Sequence, residues 1–265
     1  MKLIHFLIPL LAATPASCAG ESDGVTKFRL FNYTDTGGPL NWYGLDPVAN
    51  EACGKGNNQS PIDIDTNAIE YAPAGALKFT LPAIDGVHIE NLGFGLDVTL
   101  KNGTLEVNNK IYNMVQFHFH TPAEHHVNHE HYPMEVHFVF QTPENETAVV
   151  GFFFQLSDTS KTPPLFESVF SRIAEIADPG SSSTTGLLDF QELTAHLDQN
   201  RIYQYTGSFT TPPCTEGVAW YLSAEPLPLD VKTYNAVKMV VKFNARYIQN
   251  VLGRENLLGI AMRHL

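Results

Sequence analysis

The sequence predicts a β-dominated α+β domain with its helices on the surface. Short alternating or apolar runs, separated by turn residues, fill residues 76–156. Only two later segments carry a helical apolar stripe, and no repeat or linker divides the chain. At 265 residues the chain is long for one domain but within the range of a large β-rich one, with enough material to bury a sizeable core. The expected organisation is a leader over residues 1–19 followed by one domain over 20–265.

Met1–Ala19 has one Lys, an apolar run near Leu3–Ala13 and small residues before Gly20, the pattern of a secretory signal. The run is too short to span a bilayer, and nothing later resembles a transmembrane helix. The expected location is therefore extracellular or the cell wall. Removing the leader leaves Cys53 and Cys214, and an even pair in an exported protein is most simply a disulfide. Asn32, Asn102 and Asn145 each open an Asn-x-Thr glycosylation sequon, while Asn58 heads a weaker one followed by Pro61.

Residues 20–58 carry Gly, Pro and Asn at short intervals and are expected to wrap the core without regular structure. Strands are expected over Ala76–Leu81, Val87–Leu92, Leu96–Leu100, Thr104–Val107 and Ile111–His120. Asn102-Gly103, between two of these runs, is a hairpin signal. Thr147–Leu156 is almost wholly apolar, as for a strand buried on both faces. Leu165, Phe166, Val169, Phe170, Ile173 and Ile176 predict a helix over Pro164–Ile176 with Thr162 as its cap. Val231, Tyr234, Val237, Val240 and Val241 predict another over Asp230–Phe243. Asp178–Gly186 reads as a loop.

The composition, 43% hydrophobic and 17% charged, is that of a globular protein. A formal net charge of −12 argues against nucleic acid and anionic membranes as partners and is read as an acidic, soluble surface.

The chemistry concentrates in Gln116–Phe140. At a side-chain period of two, Gln116, His118 and His120 share one strand face, with Phe117 and Phe119 on the other. In Met134–Phe140, Glu135 and His137 share a face opposite Phe138 and Phe140. If the two runs pair antiparallel, His137 comes opposite His118 and His120. Three neutral nitrogens on rigid strands, without a fourth protein ligand, is the pattern of a catalytic zinc site that keeps one position open. His125, His126, His129 and His131 fall in the intervening loop.

These residues and three further motifs resemble the α-class carbonic anhydrases. Gln59-Ser-Pro-Ile-Asp63 is similar to the family's N-terminal motif, and Gln116–His120 with Glu135–His137 to its zinc strands. Gly207–Glu216 resembles its active-site loop, and Asn244-Ala-Arg246 with Gln249 its C-terminal signature. The motifs occur in the family's order along most of the chain after the leader. The resemblance implies a large twisted, mostly antiparallel sheet with zinc at the base of a conical cleft. It also implies reversible hydration of carbon dioxide to bicarbonate and a proton by zinc-bound hydroxide. On that basis His118, His120 and His137 are the zinc ligands, and Gln116 and Glu135 accept hydrogen bonds from ligand rings. Thr210 orients the reacting oxygen through Glu124, and Thr211 lines the substrate site. Val139, Val149, Phe209, Val218 and Trp220 form the apolar wall that holds carbon dioxide, and His125 is structural.

Two departures from the family pattern stand out. Phe94, in Asn91-Leu-Gly-Phe94, occupies the position of the histidine that exports the proton in fast members. Gly44 stands where the family often has a cleft tyrosine two residues after Trp42, with Tyr43 adjacent. Both lead to an expectation of slowed proton export. Three other readings compete: a binding protein on the same fold, a zinc ester hydrolase (a weak side activity of the same site) and a structural zinc protein. The complete ligand set, the absence of an evident ester pocket and the lack of a fourth ligand cysteine weigh against them in turn.

Overall fold

The computed structural model describes residues 31–158 and 161–263. The expected leader, Met1–Ala19, lies outside them. Strands β1 (Asp63–Ile64), β2 (Glu70–Ala72) and β3 (Lys78–Thr80) open the chain's β structure. They are followed by β4 (His88–Asn91), β5 (Leu96–Thr99), β6 (Thr104–Val107) and the long β7 (Lys110–His120). Short strands β8 (His126–Val127) and β9 (Glu130–His131) lead to β10 (Met134–Gln141) and β11 (Thr147–Ser157). The remainder are β12 (Ser182–Thr184), β13 (Ile202–Ser208), β14 (Glu216–Ser223) and β15 (Leu227–Asp230).

Among the described residues, twelve strands form one large twisted sheet with the path β12-β4-β5-β7-β10-β11-β14-β13-β2. β6 joins β7 to β3, and β15 pairs with the end of β11. The sheet is mixed but mostly antiparallel; β14 and β15 both run parallel to β11. β1, β8 and β9 make a separate three-stranded sheet. The helices are α1 (Trp42–Leu45), α2 (Glu51–Lys55), α3 (Pro164–Phe170), α4 (Gln191–Gln199), α5 (Val231–Val241) and α6 (Leu257–Met262). Two 3₁₀ turns, Asp35–Gly37 and Ile173–Ile176, complete the set.

The alternating sequence sorts the central strands onto two faces. Phe117, Phe119, Phe138, Phe140, Phe152 and Phe154 point to one side, where α3, α4 and α5 lay Phe166, Phe170, Leu193, Leu197 and Val237 against them. Truncating one of these fully buried rings to Ala would cost about 3–5 kcal/mol. The opposite face carries His118, His120, Glu135 and His137. It also carries a smaller apolar cluster of Val139, Val149, Phe153, Val218 and Trp220. A phenylalanine-filled, helix-covered face therefore frees the other face for chemistry.

Several sequence expectations are corrected. The hairpin is not at Asn102-Gly103: β5 and β6 do not pair with each other, but with β4, β7 and β3. It lies at Asn108-Asn109, between Val107 and Lys110, where φ is 51° and 59°. A two-residue type I′ loop needs positive φ at both positions, and Asn tolerates it. Thr162 does not cap α3. It donates to Asp230 Oδ2 at 2.7 Å, and Asp230 accepts from Thr233 N at 3.0 Å as the N-cap of α5. The helix expected over Pro164–Ile176 ends at Phe170 and resumes as the 3₁₀ turn. Ser171 Oγ donates back to Ser168 O at the break, one of the local bonds that compete with helix propagation. The Asp178–Gly186 loop contains β12, which pairs with β4, and residues expected to be irregular contain α1 and α2. The two-helix reading also missed α4, which buries only Leu193 and Leu197.

Candidate metal centre

β7 and β10 pair so that His137 stands directly opposite His118, and Glu135 opposite His120. The three rings converge: centroid separations are 5.0 Å for His118–His120, 5.2 Å for His118–His137 and 4.6 Å for His120–His137. One ligand nitrogen from each lies within 4.8 Å of the others. Each ring has its second nitrogen engaged by an acceptor. His118 Nδ1 meets Gln116 Oε1 at 2.9 Å, His120 Nδ1 meets Asn244 O at 2.8 Å, and His137 Nε2 meets Glu135 Oε1 at 2.7 Å. The acceptors fix the tautomers, as outer partners of metal-ligating histidines do. Nε2 of His120 is buried with no hydrogen-bond partner among the described residues. Burial pulls the His120 pKa down against the opposing pull of Glu124, which keeps the ring neutral and its lone pair available. A buried orphan nitrogen in a three-imidazole donor set fits a zinc ion.

Glu135 anchors a wider buried network. Its Oε2 accepts from Glu124 N (2.8 Å) and His125 N (3.0 Å), and its Oε1 also meets His125 Nδ1 at 2.8 Å. Burial alone would raise the Glu135 carboxyl, but His125 and His137 outweigh it and hold it well below the usual carboxylate range. From His125 Nε2 the chain of bonds continues to Tyr205 OH (2.7 Å) and Ser60 Oγ (2.7 Å). His125 is thus committed to structure.

Glu124 Oε1 accepts from Arg246 N at 2.8 Å. The Arg246 guanidinium donates to Ser60 O (2.7 Å) and Gln59 Oε1 (3.0 Å), joining the N-terminal motif to the C-terminal one. Burial lowers its pKa to about 10, so it remains charged at neutral pH. Gln59 Nε2 donates to Cys214 O and Glu216 Oε1, both at 3.0 Å. Cys53 and Cys214 form a disulfide that closes this region.

Glu124 Oε2 lies 3.4 Å from His120 Nε2 and makes no hydrogen bond among the described residues; no bond to Thr210 is formed in this structure. Thr210 itself is buried, in the segment between β13 and β14. Thr211 lines a cavity against His118 and His120, together with Phe94, Tyr33 and Asp97. Val139, Val149, Val218 and Trp220 lie in one cluster with Phe209 packed on it, and the Trp220 ring is 4.8 Å from that of His137. Asn32, Asn102 and Asn145 are all exposed.

Sequence reasoning missed two contributors. Asn244, part of the C-terminal motif, engages His120 through its carbonyl from 124 residues away, which no local spacing signals. Tyr33 lines the cavity, whereas Tyr43, adjacent to Gly44, packs against Gly54 and Lys55.

Residues 38–255 match the eukaryotic-type carbonic anhydrase family. A fungal alpha carbonic anhydrase from Aspergillus oryzae superposes with a TM-score of 0.87 at 63% identity, covering 89% of this chain and all (100%) of that one. Dioscorin dioA3 of Dioscorea japonica is 30% identical over 92% of this chain and 88% of its own length. Alpha carbonic anhydrase 5 of Arabidopsis thaliana is 30% identical over 98% and 92% respectively. With its zinc-compatible histidine triad, its sheet and these relatives, the chain belongs to the eukaryotic-type carbonic anhydrase family.

Proposed function

We propose that this chain is a zinc enzyme that reversibly hydrates carbon dioxide to bicarbonate and a proton. The convergence of His118, His120 and His137, each ring fixed by a separate acceptor, carries the reading. These three residues would hold the ion, and Gln116 and Glu135 are assigned as their orienting partners. When bound, zinc acts as a Lewis acid that lowers the pKa of coordinated water to about 7, supplying a nucleophile at neutral pH.

The remaining roles fall to the protein's own groups. Glu124 Oε2 is assigned to accept the Thr210 hydroxyl hydrogen, which turns the Thr210 oxygen into an acceptor aimed at the reacting water. Thr211 and the wall of Val139, Val149, Phe209, Val218 and Trp220 hold carbon dioxide, a small molecule without charge or dipole that an apolar surface accommodates. The proton must then leave past Phe94, whose ring cannot carry it, so export is the slow step. Weak ester hydrolysis is expected as a side activity.

The domain is taken to span residues 20–265, following a secretory leader over 1–19, with Asn32, Asn102 and Asn145 open to glycosylation. No described helix is long and apolar enough to cross a membrane. The disulfide agrees with an oxidising compartment. The deciding experiment pairs metal analysis with a carbon dioxide hydration assay on the secreted protein. One zinc per chain and hydration are expected, with both lost in His118→Ala. A metal-free but active wild type, or an active His118→Ala protein, overturns the assignment. A zinc-loaded but inert wild type would favour a binding role.

A further inference from the structure

We propose that Asp63, His126 and His131 form a second cation site on the outer surface, one that takes a divalent late transition metal of the copper–nickel–zinc group. The small β1-β8-β9 sheet places the three residues in one cross-strand row. Asp63 pairs with His126 in the parallel ladder, and His126 pairs with His131 in the antiparallel one. Directly paired residues project from the same face of a sheet.

The opposite face fixes which way the row points. Ile64 is fully buried, and Val127 packs on the same apolar cluster as Val139 and Trp220. A slip of one residue would turn these two into solvent and the histidines into the core, so the register is pinned with the polar row outward.

The two rings lie near each other, although the ligand atoms of the row are not gathered within 4.8 Å as those of the buried triad are. The His126 and His131 centroids are 5.8 Å apart, against 4.6–5.2 Å within the buried triad. His131 is exposed, and turning its ring toward His126 would close the difference. Its Nδ1 lies 3.2 Å from Tyr132 O. A proton on Nδ1 leaves Nε2 as the lone-pair nitrogen, the arrangement seen when a ligating histidine donates its other N–H to a carbonyl. His126 is drawn toward its neutral form by partial burial and then by the neighbouring His131. Asp63 supplies the carboxylate end of the row. It is held in place by His129, whose backbone N donates to Oδ1 at 3.0 Å and whose ring pairs with Oδ2.

Two imidazoles and one carboxylate, open to water on one side, favour copper, nickel and zinc over magnesium or calcium, with copper tightest. An ion there would tie β8 to β9 and β1, closing the loop between the two strands that carry the triad.

The test uses untagged, zinc-loaded protein titrated with Ni²⁺ by calorimetry and with Cu²⁺ by electron paramagnetic resonance. One further equivalent of each ion is expected, with a nitrogen-rich copper spectrum. His126→Ala or His131→Ala should weaken Ni²⁺ binding by at least the roughly 10–100-fold that loss of an outer-shell partner costs. Carbon dioxide hydration should not change. Asp63→Asn should weaken binding less. Wild type that takes up no ion beyond its zinc, or a His126→Ala/His131→Ala double variant that binds Ni²⁺ like wild type, overturns the proposal. Should His126→Ala fold poorly, His131→Gln at the exposed end of the row gives the same reading alone.

Discussion

His137 meets Glu135 Oε1 through Nε2, at 2.7 Å, and so presents Nδ1 to the centre, whereas His118 and His120 engage their acceptors through Nδ1. The third ring is therefore reversed relative to the first two. Position along the strand does not set the reversal, since Gln116 stands two residues before His118 just as Glu135 stands two before His137.

Glu135→Ala should weaken metal binding by about 10–100-fold, measured by competition with a chelator. It should also lower Tm, because Glu124 N, His125 N and two rings lose their acceptor in a buried site. Glu135→Gln keeps one oxygen and should fall between. Wild-type affinity in the Ala variant would remove Glu135 from its assigned role.

Phe94→His should raise kcat in dilute buffer and leave kcat/KM nearly unchanged. Phe94 lines the cavity beside His118 and His120, and its ring sits 5.0 Å from that of Phe31. A positioned acid–base group contributes roughly 10²–10⁴-fold, so its absence leaves room for a measurable gain. The wild type should in turn speed up with imidazole-type buffers. A high, buffer-independent kcat would show that another group carries the proton.

Replacing Cys53 and Cys214 together by Ser should lower stability by up to about 5 kcal/mol, since the bond closes a loop across 161 positions. The loss should reach the centre. Arg246 Nη2 donates to Cys53 O and Gln59 Nε2 to Cys214 O, and Arg246 holds Glu124. Denaturant titration and hydrogen exchange at Thr210 and Glu124 would show both effects. Unchanged protection there would confine the disulfide to global stability.

Asp230→Ala should cost about 1 kcal/mol at neutral pH through loss of the α5 cap. Hydrogen bonds from Thr233 hold the Asp230 carboxyl down at about 2 in the folded protein, below its ordinary value near 3.8. The stabilisation is thus fully present above the unfolded value and disappears as the pH falls toward 2. The Tm gap between wild type and variant should be constant from pH 7 to 5 and close between 4 and 2. A gap that persists at pH 2 would mean that the carboxylate charge is not involved.

The strands that matter, and the residues they expose, are legible in the amino-acid sequence alone. Alternation in Gln116–His120 and Met134–Phe140 assigns each side chain a face, because a strand's period is two whatever lies around it. The histidine convergence is legible for the same reason, and the burial of Thr147–Phe154 on both faces from its almost unbroken apolar run. Tertiary structure decided what local pattern does not encode. The turn moved to Asn108-Asn109 because the ladder of β6 and β7 required positive φ there. α4 went unseen because only two of its residues reach the core. β12 is a strand because β4 offers it a free edge. Asn244 and Tyr33 reach the centre, and Arg246 spans from Glu124 to Gln59, only through contacts between distant segments of the folded chain. Those contacts depend on how the segments pack, and side-chain periodicity carries no record of that.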